Sequence, residues 1–416
     1  MNFDDTPQEA EFRKLARTWI EANRPDDLLA VLEALNPDGS KKASTADIVR
    51  VSKAWQKRKA DGGWACLTWP KEYGGRAATP IQRVIWDQEE GAYGQLSQPF
   101  AIGQGMCGPT VMAYADEDTK RRLLPPLASG EDVWCQLFSE PAGGSDVAGL
   151  RTRAEKQDNG DWLINGQKIW TTGAHFCDYG IVITRNDPTV PKHKGLTMFW
   201  LDMKSPGVEV RPIKQASGHS GFNEVYFTNV RIPDSQRLGK VGDGWNVSIT
   251  TLMNERFSIG ARVATGVPEF FDFASSYRMP DGTLAIEDAS VRARLATWAS
   301  RSNGLKYTAY RAISALSRGE RPGPENSIGK LVSAPMMQDI AMAALDLQGP
   351  EGARTIDGAT PAAKLYQQLY HAIGMRIAGG TDEVMRNIIA ERVLGLPADV
   401  RVDKDVPFNK IPTKGR

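Results

Sequence analysis

The chain has 416 residues and a formal net charge of +1, from 51 basic and 50 acidic side chains. That length allows two or three domains around a large core, and a balanced charge offers no surface for nucleic acid or an anionic membrane. The four cysteines (Cys66, Cys107, Cys135 and Cys177) lack CxxC spacing, no apolar run reaches membrane-spanning length, and the N-terminus is acidic. These features predict reduced, buried thiols in a cytoplasmic chain with no signal peptide, membrane segment or disulfide framework.

Thr6-Pro7-Gln8-Glu9 predicts a helix start, with Thr6 as N-cap, Pro7 at the first helical position and Glu9 closing a capping box. Phe12, Leu15, Ala16 and Trp19 then recur on one face. Helical patterning returns over 45–61, 80–93 and 108–127, around a Gly- and Pro-rich loop from Trp69 to Gly75, so residues 1–128 read as a helical domain. From 129 to 238 the runs become short and rich in β-branched and aromatic residues, as in 179–184, 196–201, 208–212 and 224–228. The spacing fits an antiparallel barrel or sandwich. Helical patterns resume at 245–277, 286–317, 327–347, 362–373 and 381–394, making 239–397 a second helical domain before a tail, 398–416, that ends in the basic stretch 408–416. The fold class is therefore α+β, in α–β–α order.

The stretch richest in chemistry lies at 134–179. Trp134 to Phe138 reads as a strand, and Ser139-Glu140-Pro141 with Gly143-Gly144-Ser145-Asp146 must then turn, since proline and paired glycines interrupt a ladder and free backbone N–H groups. After a hairpin signal at Asp158–Asp161, Trp162 to Thr172 alternates apolar and polar residues as a half-buried strand does. This corner presents hydroxyls (Ser139, Ser145, Thr171, Thr172) and the flat indole of Trp170, which suits a planar, hydrogen-bonding, partly phosphorylated ligand.

These two segments resemble the signature of the flavin-dependent acyl-CoA dehydrogenases, Thr/Ser-Glu-Pro-x-x-Gly-Ser-Asp followed by Asn-Gly-x-Lys-x-Trp-x-Thr. Gly63-Trp64 with Trp69–Gly75, and Gly379–Val384 through Arg392–Gly395, resemble that family's N- and C-terminal motifs, so the resemblance covers roughly 5–397. It implies a C-terminal four-helix bundle, an FAD cofactor, an acyl-CoA substrate, an electron-transfer flavoprotein as acceptor, and a homotetramer or heteromer. The implied reaction removes a proton from C2 of the thioester and a hydride from C3.

In this family the base occupies one of two places. The commoner one precedes the Gly-Thr of the C-terminal motif; here it is Gly379, which has no side chain to act, although its N–H can still serve the thioester carbonyl. The other, used by isovaleryl- and long-chain-type members, is a glutamate before an arginine on the first helix after the β domain, which here is Glu255-Arg256. Without the resemblance that pair reads as a solvated helix face. With it, Glu255 is the expected base, its carboxyl raised by apolar neighbours such as Leu252 and Ile259 at helical spacing.

The resemblance also implies flavin contacts at Gln136, Phe138, Ser139, Trp170, Thr172, Arg278, Thr381 and Glu383, and CoA contacts at Ser145 and Arg256. Thr381 opens a helix, whose N-terminus favours an anion. The family's Gln-x-x-Gly-Gly-x-Gly, which reaches flavin across subunits, runs here from Asp346 to Gly352 with aspartate in the glutamine's place. His175, His193, His219 and His371 form no metal-ligand spacing, and no Rossmann, P-loop or hydrolase-triad pattern appears. Two other readings stay open: a flavin oxidase or monooxygenase of the same fold, and a non-catalytic partner subunit of a heteromeric dehydrogenase.

Overall fold

The computed structural model describes residues 4–34, 44–260, 266–320, 327–354, 360–400 and 403–412, with the side chains of 255–260 and 316 outside that description. The described residues fall into two compact units, one within 8–34, 43–255 and 399–416, the other chiefly 256–398.

The first unit opens with six helices: α1 (Pro7–Ala22), α2 (Asp26–Ala34), α3 (Thr45–Asp61), α4 (Pro80–Glu89), α5 (Gly108–Tyr114) and α6 (Glu117–Ser129). Their starts follow from capping chemistry. Thr79 and Gln82 form a capping box ahead of Pro80, Ser44 accepts from Asp47 N, and the Asp116 carboxylate accepts from Thr119 N at 2.7 Å. That Asp116 cap splits the single helix expected over 108–127 into two. The helix expected over 80–93 stops at Glu89 and continues as 3-10 turns to Phe100. Glu90, buried at that junction, accepts hydrogen bonds from Trp55, Trp86, Lys59 and Ser97, so every contact it makes is structural.

The sheet follows: β1 (Trp134–Leu137), β2 (Arg153–Lys156), β3 (Trp162–Thr172), β4 (Tyr179–Arg185), β5 (Leu196–Asp202), β6 (Val208–Ile213), β7 (Phe222–Ile232) and β8 (Arg237–Leu238). Its order is β6-β7-β3-β2-β4-β5-β8, with β1 also on β4. The meander pairs are antiparallel as expected, whereas β1 and β2 each run parallel to β4. The hairpin at Asp158–Asp161 forms, with Gly160 at φ +91° and Gln157 N on Asp161 O at 2.8 Å. Strand β2 was hidden in the sequence because only Ala154 of its four side chains is buried. All four cysteines are free and buried, and burial pushes the Cys66 thiol up to about 12.

Helix α7 (Gly244–Gly260) leaves this unit. Thr110 and Thr251 share a 2.8 Å hydroxyl bond, Tyr114 and Thr250 a 3.0 Å one, and Leu252 packs on the core, so the helix is fixed within a turn or two of position 255.

The second unit holds α8 (Val267–Ser276), α9 (Ala289–Ser317), α10 (Ser327–Leu347), α11 (Pro361–Met375) and α12 (Asp382–Ile388). Phe270, Phe273, Trp298, Met336, Ile340 and Leu365 make its core, with the Trp298 indole N–H on Asp339 at 2.7 Å. The helix expected over 245–277 divides here, since Gly266 stands at φ +79° and Pro268 lies in the first turn of α8. No helix among the described residues is long and apolar enough to cross a membrane.

Candidate active site

One edge of β4 serves two strands. β1 takes Tyr179 to Val182 and β2 begins only at Arg185, so the chain between β1 and β2 has to leave the sheet there. That departing segment is the Ser139–Thr152 turn. It closes on itself through paired backbone bonds between Glu140 and Gly143 at 3.1 and 3.0 Å.

A buried ion pair ties the turn to β3. Lys168 is wholly buried; its ammonium donates to Glu140 Oε1 at 2.9 Å and to the Phe138 carbonyl at 3.0 Å. Glu140 also accepts from the backbone N–H groups of Arg151 (2.6 Å) and Thr152 (2.9 Å). Burial alone would raise its carboxyl, but the Lys168 charge and these donors hold it below the ordinary range. The pair therefore stays ionised and fixes both ends of the loop. The Glu and Lys of the sequence signature are structural, a role that neither residue reveals until the two motifs are seen to touch.

Trp170 sits beyond this staple. Between Lys168 and Thr171 the register with β7 slips by a residue, a β-bulge, and Trp170 there takes φ +59°. Its indole is 55 % exposed and meets the Phe222 ring edge-on at 6.1 Å. A bulky residue in the left-handed region costs roughly 1–3 kcal/mol and collects at functional sites. Ser139 is half-buried, Ser145 and Thr172 are exposed, and the neighbouring Thr171 hydroxyl is buried with no partner among the described residues. A Cβ on Gly144 would stand 3.7 Å from Ser139 Oγ, so the turn leaves room beside that hydroxyl. An uncovered aromatic plane beside hydroxyls and a glycine turn fits the flat ring and polar tail of FAD. Phe138 fits only through its backbone, because its ring is 5 % exposed and lies in the core.

Trp170→Gly relieves the backbone while removing the plane. Its melting temperature is expected to equal or exceed that of the native protein, while flavin affinity falls by about tenfold, the worth of one good aromatic stack. Thermal unfolding and a flavin titration measure both.

In the second unit, Gly379 (φ +65°) and Gly380 (φ +93°) form a left-handed turn before α12, and Thr381 caps that helix by accepting from Val384 N at 3.2 Å. Lys330 of α10 reaches under this turn, donating to the carbonyls of Gly380 and Arg376. Asp382, 2 % exposed, accepts from Arg376 Nε at 2.7 Å, and Arg376 in turn donates to Gln338 at 3.0 Å. Burial holds the Lys330 ammonium below its ordinary range. These residues, absent from the sequence expectations, set the direction of the Gly379 backbone. Lys330→Met is expected to retain flavin but lower kcat on the order of tenfold through a displaced loop; steady-state rates against flavin content check this.

The remaining expected residues are placed as follows. Gln136 is half-buried on β1. Arg278 is exposed and donates to Gly282 O across a tight turn, Asp346 is exposed in the last turn of α10, and Glu383 is exposed in the first turn of α12. Glu255 and Arg256 lie on the α7 backbone, with side chains outside the described residues. The structure thus sets Ser139 against β3 beside Trp170, with Ile169 N on Ser139 O at 2.9 Å, while Ser145 lies farther along the turn, next to the Asp146 that pairs with Lys192. In the other unit Gly379 and Thr381 form the loop before α12, and Glu383 lies in that helix's first turn.

Trp69, from the N-terminal motif, is buried, and a side chain on Gly75 or Gly108 would collide with it.

The chain matches family models described as the N-terminal, middle and C-terminal domains of acyl-CoA dehydrogenase over residues 6–131, 135–230 and 242–394. It is 33 % identical over 400 residues to acyl-CoA dehydrogenase IpdE1 of Mycobacterium tuberculosis, covering 94 % of this chain and 98 % of that one. It is 35 % identical over 378 residues to acyl-CoA dehydrogenase FadE34 of the same organism, covering 89 % of this chain but only 50 % of that relative, so it spans about half the latter's length. Among solved structures it is similar to the ChsE4-ChsE5 complex of Mycobacterium tuberculosis (26 % identity, 96 % of this chain and 100 % of that one, TM-score 0.75). It is also similar to the Tcur3481-Tcur3483 steroid ACAD (25 % identity, 96 % of this chain and 100 % of that one, TM-score 0.76). On this extent of agreement, the chain belongs to the acyl-CoA dehydrogenase family.

Proposed function

We propose that this protein dehydrogenates an acyl-CoA thioester to the 2-enoyl-CoA with FAD bound and passes the electrons to an electron-transfer flavoprotein. The observation that carries the reading is the stapled turn beside the bulged, uncovered Trp170, an arrangement whose strain has no purpose in the sheet itself. FAD, when bound, supplies the hydride acceptor. By the family resemblance Gln136, Phe138, Ser139, Trp170 and Thr172 would hold it; Arg278 matches a diphosphate contact, Thr381 and Glu383 match contacts near the adenine and ribityl end, and Asp346 stands in place of the glutamine that reaches flavin in the neighbouring subunit. Glu255 takes the proton from C2, and the Gly379 N–H donates to the thioester carbonyl. Ser145 and Arg256 receive the CoA portion.

A glycine at the place where the resemblance puts the family's commoner base would leave space around position 379, which favours bulky, branched or long acyl groups; the neighbour described as a steroid ACAD agrees with this. The same glycine, with solved neighbours described as two-protein assemblies, supports a second reading as one subunit of a heteromer. Purifying the chain alone separates the two. A yellow protein that reduces an electron-transfer flavoprotein with branched or polycyclic acyl-CoAs faster than with butyryl-CoA is the expected result. A folded, colourless protein supports the partner role, and a preference for butyryl-CoA contradicts the bulky-substrate reading.

A further inference from the structure

The C-terminal segment reads from its composition as a tail with a basic end, yet residues 403–412 return to the sheet unit. Phe408 N donates to Val190 O and Asn409 N to Pro188 O, both at 2.9 Å, which fastens the segment along the loop between β4 and β5. Two cations then connect it to the turn that carries Ser145. Lys192 Nζ stands 3.0 Å from Asp146 Oδ2 and 2.7 Å from Asp403 Oδ2, one carboxylate on the turn and one on the segment. Arg185 donates to the carbonyls of Ala148 (2.5 Å) and Leu150 (3.0 Å) just after Ser145, and the Phe408 ring covers its guanidinium at 3.6 Å. Asp146 itself is largely exposed, as is Ser145, so the outer half of the turn has few restraints of its own. The inner half is held by Glu140 and Lys168; the outer half is held by Lys192 and Arg185.

We propose that the C-terminal segment is a positioning strap for the substrate-facing turn. Asp403 acts through Lys192, and Phe408 through Arg185, to keep Ser145 in the conformation that receives the CoA part of the substrate. This rests on the reading of Ser145 as a CoA contact. Asp403 and Phe408 contact Lys192 and Arg185 and are not among the residues assigned to substrate or flavin, so their loss acts on affinity, while the hydride and proton steps keep their geometry.

The test compares the native protein with an Asp403→Asn/Phe408→Ala double variant and its conservative counterpart, Asp403→Glu/Phe408→Tyr. Each is assayed as the flavin-loaded enzyme for bound FAD, for acyl-CoA dissociation constant by calorimetry, and for kcat and KM. In the double variant the dissociation constant and KM are expected to rise roughly tenfold, within the ~10²-fold that a displaced positioning group can cost. Its kcat and flavin content stay at native levels, and the conservative counterpart returns the affinity. Unchanged affinity overturns the strap, and so does a parallel loss of flavin and kcat, because the segment would then only be holding the fold. Should the double variant not fold, Asp403→Asn alone carries the same expectation with a smaller rise. Native protein that binds no acyl-CoA overturns the reading of the Ser145 turn together with the strap, whereas native binding with unaffected variants removes the strap alone.

Discussion

Glu255→Gln should bind FAD like the native protein and yet lose between ~10² and ~10⁴ of the rate at which acyl-CoA reduces it, the span that a positioned base contributes. The amide keeps the volume and the helix but cannot take the C2 proton. The supporting structure lies in α7: Thr250 and Thr251 bond to Tyr114 and Thr110, and Leu252 packs on the core, so position 255 follows a segment fixed from below. The backbone at position 255 continues that helix. Stopped-flow absorbance of the flavin measures the effect, and flavin content after gel filtration separates lost chemistry from lost cofactor. Native rates in this variant would place the base elsewhere.

Lys168→Met is expected to have the largest effect on stability. It leaves the Glu140 carboxylate in a buried site with only two backbone donors, and breaking a buried pair from one side costs about 3–5 kcal/mol. For a chain of 416 residues that lowers the melting temperature by about 3–6 °C. The turn is freed as well, so FAD should be lost at a lower temperature than in the native protein. The double variant Glu140→Gln/Lys168→Met removes the stranded charge and keeps an acceptor for one of the two N–H groups of Arg151 and Thr152, so part of the stability returns; thermal scans of the four proteins measure the coupling. The sign of the pH dependence follows from Glu140. Its folded carboxyl lies below the unfolded value, so its stabilisation is complete above the ordinary carboxylate range, near ~4.3, and is lost as pH falls through the lower folded value. The gap between native and Glu140→Gln proteins should therefore narrow in acid.

Local features were legible in the sequence. Alternation located β3 and turn chemistry placed the Asp158–Asp161 hairpin, whereas Thr171, expected among the presented hydroxyls, is buried. Non-local features were not legible. Nothing in Lys168-Ile169-Trp170-Thr171 announces a bulge, because the slip exists only against β7. Strand β2 shows one buried residue in four, so its pairing is written in β3 and β4 instead. Lys330 is fifty residues from the carbonyl it serves, and the strap needs Phe408 to find Arg185 across more than half the chain. The helix break before α8 was legible in Gly266 and Pro268, two punctuating residues that the apolar pattern around them overrode.

The central claim is that this chain, with its own flavin and its own carboxylate, oxidises an acyl-CoA. The most direct measurement is an anaerobic titration of the purified protein with acyl-CoA thioesters of increasing bulk, following the flavin's visible absorbance and the 2-enoyl product by mass spectrometry. A branched, long or polycyclic thioester is expected to bleach the flavin stoichiometrically and yield the matching enoyl-CoA. Flavin that stays oxidised across the whole panel in a fully loaded protein would contradict it.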